Sequence, residues 1–141
     1  HTRKYSYVDG KGTRIISWDL AKYVNHCCDC NSMSTGYGFE IAIRDIAEGE
    51  QITDEYGLFN IPTDIEVVCD KPSCRCVLRP SDIDEYGAQW DERIRSALDV
   101  FRAVEQPLAV LLDDEAKSQL ESYFVDPANY RSVAELKRKV F

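Results

Sequence analysis

Six cysteines, Cys27, Cys28, Cys30, Cys69, Cys74 and Cys76, fall into two tight groups. Thiols grouped in this way can hold a thiophilic metal, close disulfides or take part in redox steps, and the clustering by itself admits each of these. No segment resembles a secretory signal, so reduced thiols are expected, and reduced clustered thiols favour a metal. Beside the first group stands the pair Asn25-His26, which combines an amide with an imidazole that titrates near neutrality. Out of context such a pair commonly closes a loop on its own backbone. Further on, Thr53-Asp54-Glu55-Tyr56-Gly57 places a phenol after two carboxylates. A tyrosine there either packs its ring at the end of a strand or offers its hydroxyl to a reacting group.

The run Tyr23-Val24-Asn25-His26-Cys27-Cys28-Asp29-Cys30-Asn31 resembles the first signature of the SET domain, in which an aromatic and an aliphatic residue precede Asn-His-Ser-Cys, an acidic residue, Pro and Asn. Cys27 stands where that family has serine, and Cys30 where it has proline. Twenty residues on, Arg44-Asp45-Ile46, Gly49-Glu50 and Thr53-Asp54-Glu55-Tyr56-Gly57 resemble the second signature, which ends in an acidic residue, Tyr and Gly. Two ordered signatures at the family's distance are more specific than either alone. The resemblance covers roughly residues 3–80, and the compact bacterial type of SET protein is the most similar in layout. It implies an S-adenosylmethionine-dependent protein-lysine N-methyltransferase whose two signature segments cross in a pseudoknot. Asn25, His26 and Tyr23 are then expected at the cofactor, and Tyr56 at the point of methyl transfer.

That chemistry suits these residue types. A lysine ammonium, with a pKa near about 10.4, must lose a proton before its lone pair can attack a methyl group on sulfonium. Burial and the neighbouring positive charge both favour the neutral amine. A tyrosine hydroxyl that aligns the amine supplies catalysis by orientation, with no covalent enzyme intermediate.

In the same family a post-SET segment, Cys-x-Cys-x4-Cys, joins the cysteine of the first signature around one zinc ion. Here Cys28 matches the first-signature cysteine, and Cys69 and Cys74 keep the x4 spacing. Val67 occupies the place of the missing cysteine, while Cys76 falls where glycine follows Cys-Arg. A four-sulfur site of Cys28, Cys69, Cys74 and Cys76 is therefore expected. Cys27 and Cys30 receive no role.

The elements that must position these groups are read from pattern. Aromatic and β-branched residues alternate from Tyr5 to Trp18 around Asp9-Gly10-Lys11-Gly12, which predicts a hairpin. A short helical turn is expected at Asp19 to Lys22. The segment 39–46 puts Phe39, Ile41 and Ile43 on one face of a half-buried strand, and Gln51-Ile52-Thr53 reads as another short strand. Helical spacing begins after Pro80. Ser81 with Asp84 resembles a capping box before an apolar face of Ile83, Tyr86, Trp90, Ile94, Leu98 and Phe101. Pro107 should interrupt that helix; Asp113 or Asp114 could cap the next, and Ser132 with Glu135 forms another capping candidate.

The 141 residues allow one core of ordinary size with an appendage. The expected class is α+β: a mostly β SET fold over 1–66, a post-SET cysteine segment over 67–80 and a helical extension over 81–141. A family Gly-x-Gly strand that accommodates the methionine end of the cofactor has no counterpart, because Gly10-Lys11-Gly12 sits in a hairpin turn. That region is expected upstream of His1, and whether the chain from His1 onward is active by itself stays open. Net charge −8 and pI near 4.7 disfavour a phosphate backbone and suit a basic, lysine-containing protein or peptide. No apolar run approaches the roughly 20 residues that cross a bilayer, and an intracellular, cytoplasmic setting is expected. The oligomeric state stays open. The other classes are a non-catalytic SET-fold module that binds peptide, and a thiol-rich metal or redox protein.

Overall fold

The computed structural model describes residues 5–17 and 20–138. Trp18 and Asp19, at the ends of the expected hairpin and helical turn, lie outside them. Over the described residues the chain is α+β, with four two-stranded ladders and two longer helices.

Strands β1 (Tyr7–Val8) and β2 (Arg14–Ile15) pair antiparallel across the turn predicted from Asp9-Gly10-Lys11-Gly12. The Asp9 carboxylate accepts from the N–H groups of Lys11 and Thr13, and Gly12 takes φ 83°. A 3-10 turn at Leu20–Tyr23 leads into β3 (Asn25–His26). Strand β4 (Ser32–Ser34) then pairs antiparallel with β5 (Glu40–Ala42). The strand expected over 39–46 is therefore shorter, although Phe39, Ile41 and Ile43 all pack against the core. Strand β6 (Thr53–Asp54) returns to run parallel to β3. β7 (Ile65–Glu66) and β8 (Val77–Leu78) pair antiparallel at the two ends of the second cysteine group.

Helix α1 (Asp82–Val100) buries Ile83, Trp90, Ile94 and Leu98, the face that the spacing marks as apolar. Ser81 precedes it without a side-chain cap bond: its backbone is helical, at φ −85° and ψ −5°, and not in the extended region that a capping hydroxyl requires. Asp82, Asp84 and Glu85 in the first turn complement the helix dipole instead. The helix ends at Val100, ahead of Pro107, and a 3-10 turn continues it over Phe101–Ala103. Asp113 caps α2 (Asp114–Val125) by accepting from Ala116 N–H, and Ser132 caps the turn Val133–Leu136 by accepting from Ala134 N–H.

Helical tail and strands share one core, in which Met33, Tyr37, Leu58, Trp90, Ile94, Leu120, Tyr123 and Val133 are buried together. The tail is drawn in closely. A Cβ on Gly36 would stand 2.5 Å from the Arg131 carbonyl oxygen, so only glycine permits that approach. Asp91 on α1 accepts from Ser132 Oγ at 2.6 Å and from Val133 N–H at 2.9 Å. Beyond this, Asn60 (φ 50°) donates through Nδ2 to the carbonyls of Val8 and Leu136 and accepts from Arg138 N–H, tying hairpin and tail together. No described helix is long and apolar enough to cross a membrane.

Candidate active site and metal centre

The parallel β3/β6 ladder sets Asn25 opposite Thr53 and His26 opposite Asp54, so the two segments that resemble the SET signatures lie side by side. Asn31 fastens them from below. This residue, 1% exposed, donates to Glu50 Oε1 and the Gln51 carbonyl and accepts from Thr53 N–H at 2.9 Å. Every polar atom of its buried amide is thereby used.

Tyr56 opens a 3-10 turn, Tyr56–Leu58, that Glu55 caps by accepting from Gly57 N–H at 2.8 Å. Its hydroxyl donates to the Val24 carbonyl at 2.6 Å, just before Asn25. Its ring stands 5.4 Å from that of His26 and 5.6 Å from Phe59, which in turn lies 5.3 Å from Tyr7. Burial, followed by the nearby Asp54 carboxyl, raises the phenol pKa, so Tyr56 keeps its proton at neutral pH.

His26 is held at both nitrogens. Nε2 lies 3.2 Å from Cys28 Sγ; Nδ1 lies 3.3 Å from Tyr56 N–H and 3.1 Å from the Asp54 carbonyl. In the neutral ring a proton on Nε2 points to the sulfur and leaves Nδ1 to accept from Tyr56 N–H, whereas a proton on Nδ1 points to the Asp54 carbonyl. Burial first, and the positive charge of Arg75 second, lower its pKa to about 4 against a backbone contact with Asp54, and the ring is neutral at physiological pH. Asn25 pairs through its backbone while its side chain is exposed. Tyr23 is 49% exposed, meeting Tyr5 edge-on at 5.2 Å and Lys22 Nζ at 4.8 Å. None of the contacts of Tyr23 is with His26 or Tyr56 among those the ring geometry defines.

Beneath this site Cys28, Cys69 and Cys74 bring their sulfurs within 4.8 Å of one another. A tetrahedral zinc ion with Zn–S bonds of about 2.3 Å separates its sulfurs by roughly 3.8 Å, so a small inward movement would accommodate the ion. Soft sulfur donors in a reduced protein suit zinc. Hydrogen bonds from the loop, that from the Cys69 backbone first and that from the Cys76 backbone next, lower the Cys74 thiol to about 7, which makes a thiolate available near neutrality. Burial raises Cys30 to about 12 and raises Cys27 as well; both sit in the core, with the Cys27 thiol also facing Cys69. Cys76 lies outside the three-sulfur group; it is exposed, with its thiol toward the Cys74 carbonyl at 3.8 Å. Its φ of 61° is the left-handed conformation that glycine adopts freely and other residues adopt under constraint.

Sequence reasoning missed the charged cluster between the two centres. Arg75, flanked by Cys74 and Cys76, reaches Glu55 Oε1 at 2.6 Å and Asp82 Oδ2 at 3.1 Å, and both carboxylates are 1% exposed. An arginine between two ligand-spaced cysteines was the available signal, but its acidic partners lie 20 residues before it and 7 after, with nothing in the pattern to pair them. Two surface concavities, about 370 Å³ along α1 and about 210 Å³ beside Gly36, are lined by neither Tyr56 nor His26. Compared with known proteins, the chain matches no family model, no curated protein and no solved structure.

Proposed function

We propose that this chain carries the C-terminal part of the SET domain of a protein-lysine N-methyltransferase, with Tyr56 at the reacting amine and zinc in the cysteine cluster. The observation that carries the reading is the meeting of Val24-Asn25-His26 with Tyr56 across the parallel β3/β6 ladder, closed by the 2.6 Å bond from the Tyr56 hydroxyl to the Val24 carbonyl.

S-adenosylmethionine, when bound, supplies a methyl group on a positively charged sulfur. The Val24 carbonyl and the Tyr56 hydroxyl put two oxygens at one point, which suits a cationic centre and weak C–H···O contacts to a methyl. Asn25, His26 and Tyr23 would line the cofactor side. Because the Tyr56 proton is engaged with Val24, the free lone pairs of its oxygen can accept an N–H from the substrate amine and aim the nitrogen lone pair. The raised phenol pKa makes Tyr56 an aligning group and not a base. The lysine therefore arrives neutral, its ammonium disfavoured by desolvation against the rings of Tyr56, Phe59 and Tyr7. Lysine-containing, basic segments are the fitting partners for a chain of net charge −8.

For zinc, Cys28, Cys69 and Cys74 would supply three thiolates, and Cys76, whose thiol faces the Cys74 carbonyl, is the candidate for the fourth. Its exposed sulfur and its left-handed backbone, held by the bond from Val67 N–H to the Cys76 carbonyl at 2.9 Å, support a constrained functional position.

Transfer of labelled methyl from S-adenosylmethionine to lysine-rich peptides by the full-length protein tests the reading. Transfer that Tyr56→Phe abolishes is the expected result. Peptide binding without transfer would replace it with the non-catalytic module, and thiol chemistry without either would replace it with the redox class.

A further inference from the structure

Arg75 belongs to both centres at once. Its backbone is part of the cysteine loop: the Arg75 N–H donates to Cys28 Sγ at 3.3 Å, and its neighbour Cys74 is one of the three converging sulfurs. Its side chain leaves the loop and forks onto two buried carboxylates, NH2 to Glu55 Oε1 and NH1 to Asp82 Oδ2. The same Glu55 oxygen accepts from Gly57 N–H at 2.8 Å and so caps the turn that begins with Tyr56. The rings of Tyr86 at 5.0 Å and Trp90 at 5.6 Å flank the guanidinium.

The loop is held at its ends by the β7/β8 ladder and the bond from Val67 N–H to the Cys76 carbonyl, while Lys71, Pro72 and Ser73 between the cysteines are exposed. Sulfur ligation would fix the part of the loop that carries Arg75, and Arg75 bears directly on the Glu55 carboxylate. The planar fork of arginine can satisfy two carboxylates in fixed directions, which the point charge of lysine cannot.

We infer that Arg75 is a positioning residue through which a thiophilic divalent cation on Cys28, Cys69 and Cys74 sets the turn that carries Tyr56. The inference rests on the metal centre proposed above, but not on methyl transfer. A purely structural ion pair would stabilise the protein equally with and without metal; a positioning link makes the order of residues 55–58 depend on the metal.

The test is amide hydrogen exchange of the reduced full-length protein with and without one equivalent of Zn2+, with bound zinc measured in parallel. In the parent, exchange over 55–58 should slow by about tenfold or more when zinc binds. Arg75→Lys should still take up zinc with less than about a twofold change there. Glu55→Gln keeps the acceptor for Gly57 N–H while removing the charge that faces Arg75, and should uncouple the two centres in the same way; it decides the matter if Arg75→Lys does not fold. Slowing in either folded variant equal to that of the parent overturns the inference, as does zinc uptake by the parent without slowing. A parent that takes up no zinc overturns this inference and the metal centre together, and leaves methyl transfer to be judged by its own assay.

Discussion

Gly57 lies against the edge of Trp90: a Cβ at Gly57 would stand 2.7 Å from the Trp90 ring, 3.0 Å from Glu55 Oε1 and 3.3 Å from Asp82 Cβ. The turn after Tyr56 is thus seated directly on α1, and its place depends on the absence of a side chain. Gly57→Ala must displace the turn or the buried indole. We expect a loss of about 1–3 kcal/mol in chemical unfolding, together with lower activity of the full-length protein. A variant as stable as the parent would show that this contact is looser than described.

Tyr56→Phe removes the hydroxyl that Val24 accepts and leaves the ring contacts with His26 and Phe59 in place. Stability should fall by about 1 kcal/mol. If the proposed function holds, methyl transfer by the full-length protein should fall by about 100-fold or more, read as initial rates at saturating peptide, because the oxygen that would aim the amine is gone.

Cys69→Ser takes one sulfur from the converging three, and bound zinc should drop below about half an equivalent per chain, with a lower melting temperature. Cys76→Gly separates two effects by sign. With metal removed, relief of the left-handed φ of 61° should stabilise the protein by about 1 kcal/mol. With zinc present, loss of the fourth thiolate should weaken metal affinity by about tenfold or more, measured by competition with a chelator.

The Asp54 carboxyl, 5% exposed, is raised to about 9, by burial foremost and then by the facing Glu40 carboxyl. In the unfolded chain Asp54 ionises above about pH 4, whereas the folded protein retains the proton. Its contribution to stability is accordingly whole below that pH and declines as pH rises toward about 9. Asp54→Asn keeps an acceptor for Glu55 N–H and offers an N–H to Glu40 in place of the shared proton. The variant should gain on the parent by about 1–3 kcal/mol at pH 7, with the difference vanishing near pH 4. Denaturant titrations across this range check the sign, and a difference that grows as pH falls would refute it.

Local features of the fold were legible from sequence because they depend on neighbours in the chain. The hairpin followed from Asp9-Gly10-Lys11-Gly12, α1 from the spacing of Ile83, Trp90, Ile94 and Leu98, and the cap of α2 from Asp113. Of the four cysteines that the spacing groups, Cys28, Cys69 and Cys74 bring their sulfurs together, while Cys76 stands outside them. What escaped depends on partners remote in the chain or on backbone conformation. The Ser81 cap failed because its backbone is already helical, and the Arg75–Glu55–Asp82 cluster is a charge balance that no periodicity records. The seating of the tail on Gly36 and Asp91 was likewise invisible, since it requires knowing which backbone approaches which.

The clasp at Asn60 has a consequence for biosynthesis. One side chain bonds Val8 and, 76 and 78 positions along from itself, Leu136 and Arg138. While the polypeptide is being made, Asn60 and the first hairpin emerge long before Leu136 and Arg138 exist. The aromatic wall formed by Tyr7, Phe59 and Tyr56 therefore receives its final brace only once the residues around 136–138 have been added, which makes folding of this region a late, non-local event.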